Sequence, residues 1–299
     1  MMVSNKGSLA ALLWWQKNLV LLFVASAVAA VLLVDHVGVT EVKLPTMPVA
    51  VVGAALGIFV SFRTNSAYDR WWEGRKLWGK LINVSRMFAS QAMLYVAPAD
   101  REAAVRLVHR HVAYVHALRR LLRLEDAFTD ERFMNALPDD PEPMRGQSNL
   151  THLLLHKQLE DIVALDAAGK LSEFRTQSFD RSIMTLLDVQ GGCERIKKTP
   201  FPRGYTFIAQ RLITAYGILF PLALVDQLGW LTVPINVLVC LSFALISEAG
   251  RVLEDPFNMF WNGLPLTNMS VTIERNVRER VGESELPEIP GPNERGILM

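Results

Sequence analysis

Apolar residues are concentrated in four uncharged or nearly uncharged runs that lie toward the two ends of the chain. The first run covers residues 12–34, with Trp14, Trp15 and Lys17 near its start. The others cover residues 47–62, 205–225 and 228–247. Runs of about 20 residues suffice for a helix to cross the hydrocarbon core, and tryptophans favour the interface. The pattern therefore predicts four transmembrane helices, of which the third carries one charge that can snorkel, Arg211.

The intervening residues are richer in charge and carry helical periodicity. Residues 103–124, 150–165 and 171–196 alternate apolar and polar positions as amphipathic helices do, whereas residues 126–149 contain three prolines and predict a loop. We expect four parts: residues 1–62 with the first two membrane helices, 63–203 as a soluble helical region, 204–248 with the last two membrane helices, and 249–299 as a tail. The prolines of the tail predict an extended segment lying over a surface.

Basic residues predict the orientation of the four spans. One set of helix ends carries nearly all of them, and the opposite connections contain only His36 and Lys43. By the positive-inside rule, both termini and the central helical region face the cytoplasm. The residues at the cytoplasmic ends are Lys6, Lys17, the arginine and lysine residues of 63–86, Lys197, Lys198, Arg203 and Arg251.

The second apolar run changes into a charged and aromatic segment without any proline between Pro48 and Pro98. One helix can therefore run from the membrane into water. Residues four apart share a helix face, so this helix has one strip of small residues and a neighbouring strip of increasing bulk. A small-residue strip allows close helix packing; the second strip faces either lipid or a pore. The strips are Gly53, Gly57, Ser61 and Asn65, and Ala54, Ile58 and Phe62.

Composition excludes some classes of function. The net charge of +1 argues against a nucleic-acid-binding protein. Cys193 and Cys240 form no CxxC motif and are expected to be buried apolar residues. No GxSxG or HExxH motif is present, so we expect neither an enzyme nor a cofactor.

Two groups of histidines leave a metal-binding membrane protein as an alternative: His109, His111 and His116, and His152 and His156. A secondary transporter is a second alternative, although the spans lack the repeats and broken helices of that class, and a membrane scaffold is a third.

Residues 61–79, SFRTNSAYDRWWEGRKLWG, form an arginine–tryptophan block that resembles the signature of the bestrophin family, and most closely its bacterial members. Four further segments follow in family order, so the resemblance covers nearly the whole chain. They are residues 190–196 (QGGCERI), 199–202 (TPFP), 254–257 (EDPF) and 263–266 (GLPL).

The resemblance implies an all-α channel with four transmembrane helices and a cytosolic helical bundle, assembled as a homopentamer around a central pore. Its second transmembrane helix lines a hydrophobic neck, which falls on Ala54, Ile58 and Phe62. Family necks carry large apolar residues at all three levels, so Ala54 should widen the outermost ring. A second, cytosolic constriction falls on one of three candidates: Leu171, Phe174 or Arg175.

The resemblance also implies the environment and partners of the protein: the bacterial inner membrane, its lipid, and small monovalent ions such as chloride, with the choice between cations and anions left open. The tail is expected to wrap neighbouring subunits. Residues of the arginine–tryptophan block are expected to pair with each other and across subunit contacts: Arg63, Asp69, Arg70, Trp71, Trp72, Glu73 and Trp78.

Animal bestrophins hold calcium in an acidic cluster after the fourth span. Here only Glu254 and Asp255 remain of it, followed by apolar Met259, Phe260 and Trp261. Calcium takes roughly six to eight oxygen ligands. We therefore expect no calcium gating and no metal site at this weak acidic remnant.

Overall fold

Helices account for most of the computed structural model, which describes residues 1–3, 14–38 and 43–298. Short π-helical turns extend α1 to His36 and α2 to Val96. Within the described residues, extended pairing is confined to a bridge between Met2 and Ile297. The predicted all-α class is confirmed. The helices are α1 (Lys17–Val31), α2 (Thr46–Gln91), α3 (Arg101–Leu122), α4 (Glu131–Ala136), α5 (Leu150–Ala167), α6 (Glu173–Lys198), α7 (Arg203–Leu228), α8 (Thr232–Leu253) and α9 (Leu266–Val281).

Three helical stretches are long and apolar enough to cross a membrane: Lys17–Val34, Thr46–Val96 and Gly204–Leu253. The third stretch contains α7 and α8, which are joined by a tight turn at Gly229–Leu231 and pack against each other. Gly229 has a φ of +49°, which glycine adopts without the steric cost that a side chain would add. The turn reverses the chain, so this stretch supplies two spans and the predicted total of four is confirmed.

The chain divides into two compact units. The membrane unit contains the described residues of Asn5–Trp71 and Pro200–Glu254, and the polar unit contains Trp72–Thr199 and Asp255–Met299 with the first described residues. Helix α2 runs unbroken from Thr46 to Gln91 and contributes residues to both. These divisions fall several residues from the predicted ones at 62, 203 and 248.

Close packing of α1, α7 and α8 forms the centre of the membrane unit. Gly217 lies against the Phe23 ring, where an added Cβ would come within 2.2 Å of a ring carbon. Asn236 of α8 donates hydrogen bonds to the carbonyls of Phe23, at 2.8 Å, and Gly217, at 3.2 Å. Polar contacts between helices hold a bundle together where lipid removes the hydrophobic driving force. Cys240 is buried in this unit and Cys193 in the polar unit, as predicted.

The polar unit is built around α3, whose apolar residues Leu107, Val112 and Leu118 are buried. Helices α5 and α9 pack on α3, and α6 packs on α5. Side-chain caps define two of the helix starts: Asp100 accepts from the Ala103 amide at 2.9 Å, and Asn149 accepts from the His152 amide at 3.0 Å. Such caps satisfy amides that the first turn leaves without partners.

Two expectations about the polar unit were wrong. The tail is not extended throughout, because α9 buries Val271, Ile273 and Val277 in the same subunit. The apolar residues of this segment recur at helical spacing, but the charged residues and prolines of the tail predicted an extended segment and no helix there. Wrapping of neighbouring subunits by the tail stays a prediction. The predicted loop at 126–149 contains the short helix α4 and two 3₁₀ turns.

His111 of α3 is buried with its ring stacked on Phe88, the ring centroids being 5.0 Å apart. Neither ring nitrogen has a hydrogen-bond partner among the described residues. Burial lowers the pKa of His111 to about 3. The unfolded chain takes up this proton below about pH 6.5 and the folded chain does not. Stability is therefore fully present above that pH and falls as the pH drops toward 3.

We expect the variant His111→Phe to lose much of this pH dependence. Between pH 6 and pH 4, the free energy of unfolding of the wild type should fall by about 1.4 kcal/mol per pH unit through His111 alone. The buried His116, whose pKa burial also lowers, will preserve part of the slope in the variant. Denaturant unfolding at a series of pH values measures this. His152→Gln changes an exposed histidine and should leave the slope intact; equal slopes for all three proteins would contradict the prediction.

Candidate pore-lining site

The three predicted neck residues lie on one face of α2 and are exposed in the subunit. Ile58 is 59% exposed and Phe62 is 68% exposed, and Ala54 lies one turn before them. On another face of the same helix, Leu56 and Val60 are buried in the membrane unit. The exposed strip of α2 is therefore free to face lipid, a neighbouring subunit or a pore.

The small-residue strip explains how α2 is held. A Cβ at Gly53 would lie 2.5 Å from the Tyr216 hydroxyl of α7, and one at Gly57 would lie 3.4 Å from the Phe243 ring of α8. Ser61 and Asn65, by contrast, are exposed. Only Gly53 and Gly57, the first half of the strip, pack within the subunit. Because they face α7 and α8, the face of α2 that carries Ala54, Ile58 and Phe62 (the neck face) points away from those helices.

Arg63 follows the neck directly and is buried. Its guanidinium donates to the Ser247 carbonyl at 2.8 Å and to the Thr206 hydroxyl at 2.9 Å, and it forms an ion pair with the Glu254 carboxylate. The Thr206 hydroxyl also donates to Glu254 at 2.9 Å. This Arg63 network joins α2 to the start of α7 and the end of α8 at the level of Phe62.

The Arg63 network was missed by sequence reasoning. The available signal was a charge immediately after an uncharged span, which needs a counter-ion when it is buried. Acidic residues follow the end of the fourth span, but Glu248, Glu254 and Asp255 are equally plausible partners by position alone. Only the structure selects Glu254.

Several members of the predicted set of subunit contacts have partners within the subunit. Arg63 and Arg70 bind Glu254 of their own subunit, Arg70 through a hydrogen bond to the backbone carbonyl at 2.7 Å. Trp78 is fully buried, and Glu73 pairs with Arg195 of the same chain. These side chains stabilise the subunit because the last turns of α6 and the residue after α8 bring partners to α2.

The other members of the predicted set are more accessible. Asp69 and Trp72 are exposed, and Trp71 is half-buried, with its ring 6.1 Å from that of Tyr68. A role in contacts between subunits remains a prediction for Asp69 and Trp72.

The acidic remnant is engaged in ion pairs. Glu254 binds Arg63, and the Asp255 carboxylate lies 2.6 Å from the Lys197 ammonium. Asp255 also accepts from the Phe257 amide at 3.1 Å. Both carboxylates are therefore already neutralised by cations of the chain.

The candidates for the second constriction lie at the start of α6 and differ in exposure. Leu171 is 6% exposed, so its side chain is held inside the subunit. Phe174 is 84% exposed in the first turn of α6. Arg175 is exposed beside it, with its guanidinium 5.2 Å from the centre of the Tyr95 ring. Because a residue that narrows a pore is exposed on its subunit, the exposure favours Phe174 and Arg175 among the three predicted residues.

The histidines of the metal-site alternative have other contacts. His109 lies 2.7 Å from the Glu283 carboxylate, His116 lies 2.9 Å from that of Glu274, and His111 is stacked on Phe88. In the part of the chain that the structure describes, no three histidine, cysteine or acidic side chains are grouped to hold a metal ion. The geometry favours ion pairs and ring stacking for these residues.

Comparison with known sequences gives a consistent result. The family model described as bacterial and fungal bestrophin protein matches residues 1–279. The voltage-dependent anion channel-forming protein of Ralstonia nicotianae is 34% identical over 273 residues, which cover 90% of this chain and 88% of that protein. The protein of the same description from Escherichia coli is 30% identical over 253 residues, covering 84% and 81%.

Solved structures agree with the sequence comparison. The crystal structure of a bacterial bestrophin homologue from Klebsiella pneumoniae superposes with a TM-score of 0.82 at 32% identity, covering 89% of this chain and 98% of that one. The arginine–tryptophan block, the membrane helices and these matches lead to one assignment. The chain belongs to the bacterial and fungal bestrophin family.

Proposed function

We propose that the protein is a pentameric channel that conducts small monovalent anions across the bacterial inner membrane, with both termini in the cytoplasm. The observation that carries the proposal is the exposed apolar strip of α2, which ends at the buried Arg63 network. The names of the Ralstonia and E. coli relatives support anions as the permeant ions. The distribution of basic residues supports the orientation.

In the proposed assembly, copies of Ile58 and Phe62 form stacked rings around the axis. These side chains offer no hydrogen bonds, so an ion must carry or shed its water to pass. A narrow apolar ring can lose its water and close the pore. Ala54 forms a wider outer ring. The neck acts as a gate and contributes little to charge selectivity.

The start of α6 forms the second constriction in this proposal. Phe174, whose side chain is largely exposed, supplies the ring that narrows the path, and Arg175 supplies a ring of positive charge next to it. Repetition around the axis multiplies the potential of Arg175, which attracts anions and repels cations. The ion pairs of Glu254 and Asp255 support a channel that opens without calcium.

The reversal potential tests this function. We expect the purified protein in a planar bilayer to show discrete currents that reverse near the chloride potential under a sodium chloride gradient. Adding or chelating calcium should leave the open probability unchanged. Reversal near the sodium potential would reject the anion assignment. An absence of current from intact, assembled protein would favour a transporter or a scaffold instead.

Substitutions at the start of α6 should separate conductance from selectivity. We expect Phe174→Ala to raise single-channel conductance with little change in reversal potential, because it removes bulk without charge. Arg175→Gln should move the reversal potential toward that of sodium, and Arg175→Lys, which keeps the charge, should not. The assignment of this constriction fails if Phe174→Ala and Arg175→Gln both reproduce wild-type currents.

A further inference from the structure

A polar cavity of about 250 Å³ lies between α1, α7 and α8 of the membrane unit. The wall of the cavity is mainly polar and is completed by three apolar residues, Leu19, Ile213 and Ala244. A polar wall is unusual within helices apolar enough to cross a membrane. The polar residues of the wall are Gln16, Gln210, Arg211, Thr214, Ser247 and Glu248. The cavity therefore suits a polar ligand at the level of the membrane.

Arg211 lines this cavity and forms no ion pair with the residues that the structure describes. Its exposed guanidinium lies over the Phe207 ring, 5.1 Å from the ring centre. Across residues 14–38 and 43–298, no carboxylate or carbonyl is found to accept a hydrogen bond from it. Charged residues within membrane helices generally pair with another group or contact water. Five N–H donors thus remain for an anionic group.

Glu248 supplies the opposite charge to the wall. Its two carboxylate oxygens accept from Arg251 Nε at 2.8 Å and Nη2 at 2.6 Å, and its side chain is 18% exposed. A carboxylate has about four acceptor positions, so two are still available to a second donor. Of the three charged groups here, Arg211 and Glu248 line the cavity, whereas Arg251, which pairs with Glu248, does not. A ligand that carries both charges matches this wall better than an anion does.

Aromatic side chains place the cavity at the depth of lipid headgroups. Trp14 and Trp15 are exposed near Gln16, and the Lys17 ammonium lies 4.5 Å from the centre of the Trp14 ring. Tyr205 and Phe207 are exposed at the start of α7. Such aromatic residues concentrate where the hydrocarbon meets the headgroups. A ligand at this depth is most simply the headgroup of a lipid.

We propose that this cavity binds the headgroup of a phospholipid that carries a primary ammonium, as in phosphatidylethanolamine. The phosphate binds the Arg211 guanidinium, and the ammonium donates hydrogen bonds to the Glu248 carboxylate. A phosphatidylcholine headgroup has no N–H groups to donate and is bulkier. The site therefore discriminates between two zwitterionic lipids by hydrogen bonding, and it is separate from the proposed pore.

Native mass spectrometry of the full-length assembled protein tests the proposal. Delipidated protein is mixed with equal amounts of phosphatidylethanolamine and phosphatidylcholine with the same acyl chains. We expect the wild type to retain phosphatidylethanolamine about tenfold more, because hydrogen bonds between charged groups distinguish the two lipids. Equal retention of the two lipids by the wild type would overturn the proposal without any variant.

Substitutions at Arg211 and Glu248 test the role of each charge in binding the headgroup. Arg211→Gln should lower the retention of both lipids, because each carries the phosphate that Arg211 binds, and Arg211→Lys should preserve it. Glu248→Gln should equalise the two lipids while phospholipid remains bound. Lys17→Gln removes a cation at the same depth but outside the cavity, and should behave as the wild type. The same spectra report whether each variant assembles; retention of both lipids at the wild-type level by assembled Arg211→Gln would contradict the assignment.

Two competing ligands test whether the cavity binds a lipid headgroup and whether it requires an ammonium group. Soluble O-phosphoethanolamine should displace the lipid only in large excess, because it lacks acyl chains; displacement at equal concentration would overturn the lipid assignment. Phosphatidylglycerol should bind more weakly than phosphatidylethanolamine, because it brings no ammonium to Glu248. Tighter binding of phosphatidylglycerol would show an anion site instead.

Discussion

Replacing both Ile58 and Phe62 by alanine is expected to raise the single-channel conductance several-fold and to leave the channel open. The two side chains are large, apolar and exposed on the same face of α2. Their removal widens the proposed neck at two successive levels, so the pore stays wet and the barrier to ions falls. Single-channel recordings in a planar bilayer, made on protein shown to be assembled, measure both effects.

A matched control comes from α8. Leu238 and Ile246 are also exposed and apolar in a membrane helix, eight residues apart where Ile58 and Phe62 are four apart, but they are not on α2. Alanine at both positions should leave conductance and open probability as in the wild type. If the Ile58 and Phe62 double variant assembles and conducts like the wild type, these residues do not form the neck. If the control also opens the channel, the effect is one of helix packing.

The second large effect is expected for Arg63→Met, which removes a charge while keeping much of the apolar length of the side chain. Arg63 is completely buried, and its loss leaves the Glu254 carboxylate without its cation. Removing one member of a buried ion pair destabilises a protein by about 3–5 kcal/mol. Glu254 is 22% exposed and can regain some water, so we expect a loss near the lower limit. Chemical unfolding of the protein in detergent measures it.

A double-mutant cycle separates the ion pair from other effects of Arg63. Glu254→Gln should be destabilising alone, and the double variant should lose less than the sum of the two single losses. Lys76→Met removes an exposed cation from the same helix and should change the free energy of unfolding by at most about 0.5 kcal/mol. Additive losses in the cycle would show that Arg63 and Glu254 are not coupled.

These two predictions concern neighbouring parts of one helix. The neck face of α2 makes few contacts within the subunit, whereas Arg63 binds α7 and the end of α8. A hydrophobic gate needs side chains of defined position, because a small displacement changes the radius of a narrow ring. We infer that the Arg63 network positions Phe62 from inside the subunit.

Several features followed from the sequence by itself. Backbone N–H and C=O groups in lipid must form hydrogen bonds within their own segment, so the long apolar runs predicted helices. Counting these runs gave the number of spans. The lack of proline between Pro48 and Pro98 predicted one continuous helix, and the four-residue spacing placed Ala54, Ile58 and Phe62 on one face. These features depend on interactions between residues that are close in sequence, so the order of nearby residues is enough to predict them.

Only the tertiary structure decided which side chains meet. Arg63 and Glu254 are 191 positions apart, and Arg63 and Ser247 are 184 apart. The burial of Leu171, the exposure of Phe174 and the packing of α9 on α3 likewise depend on helices that are distant in sequence. A charge or an apolar residue shows that a partner is needed but does not specify which one, because the partner is selected by the packing of the helices.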